Sequence, residues 1–291
     1  MLHPLIEPSM RLPKEELDHQ LSPSQTAKNA DGVLSGQVEA TKAALESATH
    51  QVIADIPYGD RPRQKLDVFA PHGARQAPCL VFIHGGFWQE GSKEVSGFAA
   101  QSFTAQGWVY VSVGYTLTPN VTLTELTDEV HDAVAFVYAN AGRFGIDPTR
   151  IIVAGHSAGG HLTASILTDL LGKGVADKIA GVVPISAVVA LEPIAKSYVN
   201  DLTRMTRAEI AQLSPTRYAP KRDMPVHIAI GGDEPDAFQA QSDLLADHLR
   251  GQITQLSFAR VPGRDHFDIL DDLADPESET FQTILSMAPE A

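Results

Sequence analysis

Cysteine is almost missing from the 291 residues. Cys79 stands alone, so no intrachain disulfide and no thiolate metal cluster can form. That agrees with a reducing compartment, and the chain is expected to be cytoplasmic. Cys79 lies in a strand-like run and reads as core. Basic residues are also scarce: Lys plus Arg number 22 against 36 for Asp plus Glu, a net charge of −14. Such a balance opposes phosphate backbones and anionic lipid surfaces, so neither nucleic acid nor membrane is an expected partner. Long apolar runs are lacking too. Cys79–Ile83 and Ala187–Leu191 fall far short of the ~20 residues that span a bilayer. The first twenty residues alternate charged and apolar positions and carry Pro4, Pro8 and Pro13, without the apolar block of a secretory signal. With 43% hydrophobic, 20% charged and 7% aromatic residues, usage is that of a globular protein, which excludes collagenous, coiled-coil and wholly disordered chains.

The texture of the chain changes near residue 50. Residues 1–50 lack β-branched clusters and show helix-forming stretches at Glu15–Gln20 and Gln37–Ser47, separated by the Ser22-Pro23-Ser24 breaker, the pattern of an N-terminal helical arm. From Gln51 to the end at residue 291, short β-rich runs alternate with amphipathic segments, which predicts an α/β domain with a mostly parallel sheet and helices on both faces. Strands are expected at Val52–Ile56, Lys65–Phe69, Cys79–Ile83, Trp108–Gly114, Ile151–Ala154, Ala180–Ile185, Val226–Ile230 and Gln255–Val261. Leu126, Val130, Ala133, Val134 and Val137 form one helical stripe; others run over Ala158–Leu171 and Ala237–Leu249, and all suit helices covering a sheet. Gly145-Ile146-Asp147-Pro148 reads as a turn before the fifth strand. The stretch 191–222 breaks the alternation and is expected to form a small cap insertion. No internal repeat is visible.

Chemistry concentrates in two motifs at strand ends. Gly155-His156-Ser157-Ala158-Gly159 is a G-x-S-x-G directly after one strand and before an apolar helix. As a bare pattern it is weak and could be a helix cap, but a nucleophilic serine at a sharp strand-to-helix turn needs small residues where the backbones approach. The helix starting there would aim the Ala158 N–H at whatever Ser157 attacks. His84-Gly85-Gly86-Phe87-Trp88 follows another buried strand. Alone it is a Gly-Gly turn; beside the serine motif it supplies backbone N–H groups for the second half of an oxyanion hole, with Gly86 and Phe87 as donors. Trp88 is a candidate lining residue for the substrate pocket, an aromatic that plain packing would equally explain.

A serine hydroxyl needs a base, and the base needs an orienting carboxylate. His266, in the polar loop Gly263–Asp268, is the only histidine beyond position 248 and the expected base. The acid should follow the strand Val226–Ile230, where Gly231-Gly232-Asp233-Glu234-Pro235-Asp236 offers three carboxylates. Spacing from Gly231 favours Glu234, with Asp233 a close rival, while Asp236 suits the start of a helix. His84, His156 and His161 lack ligand spacing and an acidic companion, so no metal site is expected. The glycines at 155, 159 and 160 do not make a dinucleotide fingerprint, and no phosphate-holding lysine follows. No cofactor is expected.

With these motifs the sequence resembles the α/β-hydrolase superfamily, and within it the kynurenine formamidase (arylformamidase) family and related carboxylesterases. The resemblance rests on His84 to Lys93, Gly155 to Leu162, Leu191-Glu192-Pro193-Ile194, Leu213-Ser214-Pro215, Asp265-His266-Phe267 and the arm segment Leu21-Ser22-Pro23-Ser24. It implies an α/β-hydrolase fold with an eight-stranded sheet, Ser157 as nucleophile, His266 as base and Glu234 as acid, where family members often have aspartate. Gln25-Thr26-Ala27 departs from the aromatic that many members place near this point. The implied activity is hydrolysis of a small aryl formamide, N-formylkynurenine to kynurenine and formate, or else of short-chain carboxylic esters. The expected partner is the small-molecule substrate; a homodimer is compatible with the sequence.

Overall fold

A computed structural model describes residues 3–288. Its eight strands are β1 (His50–Pro57), β2 (Lys65–Pro71), β3 (Ala77–Ile83), β4 (Val109–Val113), β5 (Ile146–His156), β6 (Gly181–Ile185), β7 (Val226–Gly231) and β8 (Leu256–Val261). They form one sheet in the order β1-β2-β4-β3-β5-β6-β7-β8. β2 is antiparallel to β1 and to β4, and every other pair is parallel. The protein has an α/β-hydrolase fold.

Burial follows from position in the sheet. The central β3 is buried at every residue, whereas the edge strands β1 and β8 are half exposed. A parallel strand covered on both faces must be apolar on both, and its alternate side chains then feed two cores. Along β3, Cys79, Val81 and Ile83 enter one cluster while Leu80 and Phe82 enter the other. The helix Leu123–Ala139 lays Leu126, Val130, Ala133, Val134 and Val137 on the first cluster. Its start is set by a capping box in which Thr122 and Glu125 exchange hydrogen bonds, satisfying two N–H groups that have no intrahelical acceptor.

Three local expectations shift. Of the segment read as a turn at Gly145–Pro148, only Gly145 turns, and Ile146 onward already belongs to β5, which pairs Ile146 with Ala77; the register slips before Ile151 pairs with Cys79. That irregularity accommodates Pro148, which has no N–H for the ladder. The helix after Ser157 ends at Leu167 rather than Leu171, because Asp169 and Gly172 adopt φ of 47° and 68°; Leu170 and Leu171 still pack on the core from a turn. In the arm, Ser22-Pro23-Ser24 starts a short helix, Pro23–Thr26, with proline in its first turn, and the following helix begins at Ala30 instead of Gln37. The Asn29 side chain caps it by accepting the Gly32 N–H, a local bond that apolar periodicity does not reveal.

Between β6 and β7 lie the short helices Leu191–Lys196, Asn200–Thr203 and Arg207–Gln212. The arm packs on this segment: Lys196 Nζ donates to the carbonyls of Met10 and Leu12, and the Tyr198 hydroxyl donates to Leu21 O. No helix among the described residues is long and apolar enough to cross a membrane.

Candidate active site

Ser157 sits between β5 and the helix Ala158–Leu167 with φ 56° and ψ −113°. For a non-glycine residue this is strained backbone, held because the surrounding structure over-determines it. Its N–H donates to Ile185 O at the end of β6. Gly159 is required by close approach: a Cβ there would lie 2.0 Å from Ile83 O. The spacing of G-x-S-x-G is thus the contact between the new helix and the end of β3, and it pushes the serine outward.

His266 lies in the loop after β8, and Glu234 in the turn after β7. His266 Nδ1 donates to Glu234 Oε2 at 2.6 Å. The other carboxylate oxygen, Oε1, accepts from the Gly231 N–H at 2.9 Å and from the Ser186 hydroxyl. Both side chains are buried, at 3% and 0% exposure, so the carboxylate is satisfied on both oxygens in a place water does not reach. With the proton on Nδ1, the neutral ring carries its lone pair on Nε2. His266 and Ser157 line one cavity; of the two ring nitrogens, only Nδ1 is hydrogen-bonded among the described residues. Catalytic hydrogen bonds are commonly loose before substrate closes the site.

Asp233 goes elsewhere. Its carboxylate pairs with Lys28 Nζ at 2.6 Å, both side chains being substantially exposed. The structure therefore brings Glu234, not Asp233, to the imidazole. Asp236 opens the helix Asp236–Leu249.

Ser186 was not found from sequence, although its position at the end of β6 with φ 47° is a strand-end strain of the kind that marks sites. His156 was set aside as a metal ligand, and it has another place. Its Nε2–H donates to His266 O at 2.8 Å, and the two rings lie 4.6 Å apart. Burial, with the neighbouring His266 ring, holds His156 well below the usual imidazole range. His84 stacks on Tyr115 at 4.2 Å, and His161 donates to Leu213 O. Burial pushes each of them down to about 4. Among the described residues no three His, Cys, Asp or Glu side chains are placed to hold a metal ion.

At the end of β3, Gly86, Phe87 and Trp88 have φ of 101°, 46° and 62°. A side chain on Gly86 would meet Glu90 O at 2.5 Å, because the Gln89 and Glu90 N–H groups fold back onto Gly86 O. Among the described residues the N–H groups of Gly86, Phe87 and Ala158 find no acceptor in the protein. These donors beside a serine suit a developing oxyanion.

Trp88 departs from expectation. It is fully buried, packs edge-on against His161 at 5.1 Å and does not line the cavity. Its left-handed backbone turns the indole into the core, while Phe87 lines the cavity instead. The cavity, about 260 Å³, is walled by Phe82, Phe87, Phe98, Phe267 and Leu270 from the domain, by Pro23, Ser24, Leu34 and Gln37 from the arm, and by Tyr198 from the segment between β6 and β7. Those walls come from sequence positions no local motif links.

The BD-FAE family model matches residues 66–249. Kynurenine formamidases of Danio rerio and Salmo salar are each 32% identical to this chain, over 94% of it and 96% of their own length. A solved structure from Silicibacter sp., provisionally described as a thioesterase, is 28% identical with a TM-score of 0.82, covering 93% of this chain and 99% of its own. Esterase B of Lactobacillus rhamnosis shares the fold, with TM-score 0.68 at 18% identity over 94% of each chain.

Proposed function

Because the chain belongs to the BD-FAE family and is a kynurenine formamidase-like α/β-hydrolase, an enzyme of the formamide- or ester-cleaving type, we propose that it is a serine hydrolase of small aryl formamides. N-formylkynurenine is the leading substrate. Ser157, His266 and Glu234 act as nucleophile, base and acid. The observation that carries this reading is the buried Glu234–His266 hydrogen bond opening onto the cavity that Ser157 shares.

In the proposed reaction Ser157 Oγ attacks the formyl carbon as its proton passes to His266 Nε2. The imidazolium is stabilised by Glu234, which keeps the second proton on Nδ1. The N–H of Ala158, with that of Gly86 or Phe87, holds the tetrahedral oxyanion, each donor contributing about 3 kcal/mol of transition-state stabilisation. Collapse of the intermediate breaks the C–N bond, and His266 gives its proton to the departing arylamine. Water, deprotonated by the same imidazole, then releases formate from the formyl-enzyme and restores Ser157.

One observation favours a second reading, a short-chain carboxylesterase. No Lys or Arg lines the cavity, so the carboxylate of an amino-acid substrate would find no cation there. The deciding experiment compares kcat/KM on N-formylkynurenine and on p-nitrophenyl acetate, with Ser157→Ala as control. A formamide rate at the level of Ser157→Ala would remove the first reading and leave the second. Stoichiometric labelling of Ser157 by a fluorophosphonate tests the nucleophile under both.

A further inference from the structure

One amide on the wall of the cavity has no partner. Gln37, on the arm helix Ala30–Glu46, is 8% exposed; its Nε2 is wholly buried and has no hydrogen-bond partner among the described residues. One turn further along the same helix, the hydroxyl of the fully buried Thr41 is unpartnered too. Buried polar groups in folded proteins are nearly always paired, so an orphan on the wall of a cavity points to a partner from outside the chain.

Three other polar side chains of the cavity are committed, whereas His84 Nε2 is buried and unpartnered and the Ser24 and Glu90 side chains have no hydrogen bond among the described residues. Gln89 donates to Val199 O and to the Thr203 hydroxyl, Ser96 donates to Ser92 O, and His156 donates to His266 O. Gln37 is left as the uncommitted amide, and it belongs to the arm rather than to the strand ends that carry Ser157 and its N–H donors. A formyl or short acyl group is too small to extend beyond those strand ends, so the half of the substrate that meets the arm is the leaving group.

We infer that Gln37 is a specificity-determining residue whose amide N–H binds a carbonyl or carboxylate oxygen on the leaving-group half of the substrate. It selects aryl formamides or aryl esters that carry such an oxygen over plain aryl ones. The inference rests on the proposal that this cavity takes the substrate. A donor that is already desolvated and unpaired loses nothing when an oxygen reaches it, whereas a substrate without that oxygen leaves it orphaned.

The test uses two matched pairs: N-formylkynurenine with formanilide, and 2-acetylphenyl acetate with phenyl acetate. Each is assayed with the full-length enzyme, Gln37→Leu and Gln37→Glu, the last keeping the shape while removing the donor. Both variants are expected to lower kcat/KM about tenfold or more on the oxygen-bearing member, chiefly through KM, and under about twofold on the plain member. Equal losses on both members of a pair, or no loss on either, overturn the inference. If the wild type cleaves esters and no formamide, only the formamide reading falls and the ester pair still decides the role of Gln37. If it cleaves neither pair, both fall.

Discussion

Glu234 accepts the Nδ1–H of His266 at 2.6 Å, while its neighbour Asp233 faces outward to the exposed ammonium of Lys28. Adjacent side chains in a turn point in different directions, so one carboxylate is enclosed with the imidazole and the other remains in water. Glu234→Ala is expected to lower kcat by about 10³–10⁴-fold, by freeing the ring to adopt the wrong tautomer. Asp233→Ala removes only an exposed ion pair and should change kcat by less than about threefold. Steady-state kinetics on both variants checks this, and comparable losses would place the acid elsewhere.

His156 holds the carbonyl of His266 by a buried hydrogen bond. It acts through the loop and is a positioning residue. His156→Leu should reduce kcat by about 10–100-fold with little change in KM, since a shift of about 1 Å in the base suffices for that. His156→Gln retains a donor and should recover part of the loss. A rise in KM without a fall in kcat would contradict the assignment.

The arm is tied to the loop bearing His266 by Asp265. Its Oδ2 accepts the Lys28 N–H at 2.8 Å, and Oδ1 accepts the N–H groups of Phe267 and Asp268. Desolvation works to raise this carboxyl, but the backbone donors outweigh it and hold it below the usual carboxylate range. Asp265→Ala should cost about 2–4 kcal/mol and lower activity, whereas Lys28→Ala, which leaves its backbone N–H in place, should cost under about 1 kcal/mol. Denaturant midpoints for the two variants separate these outcomes.

Burial holds His84, His131, His161 and His227 neutral, each pushed down to about 4. Between about pH 6.5 and 4 the unfolded chain therefore binds more protons than the folded one at these rings, and stability falls as pH drops through that window. Each ring removes on the order of 2 kcal/mol by pH 5, and Asp265 adds a further loss at lower pH, where its depressed carboxyl is finally protonated. Unfolding free energies measured from about pH 7 to pH 5 should decline steeply; a flat profile would mean these rings are solvated in the native state.

Much of the frame was legible. All eight strands stand where β-rich runs predicted them, with ends moved by a few residues; the central ones are apolar throughout because they are covered on both faces. Ser157 and His266, singled out because a strand-to-helix turn and a lone late histidine in a polar loop leave few alternatives, line one cavity. Trp88 misled because composition says that an aromatic stands beside a turn, not which way the turn aims it. Ser186, Phe98 and Tyr198 carried no local motif, since their places arise only when separate strand ends and loops converge.

By itself the sequence determined the order of strands and helices, the two glycine-bearing turns at strand ends and the small set of side chains able to do acid–base chemistry. These are local matters of periodicity, backbone freedom and side-chain type. Only the tertiary structure set Glu234 rather than Asp233 against the His266 imidazole, sent Trp88 into the core and brought Gln37 of the arm to the cavity. Which of two neighbouring side chains is enclosed, and which distant segment covers it, depends on the packing of the whole chain.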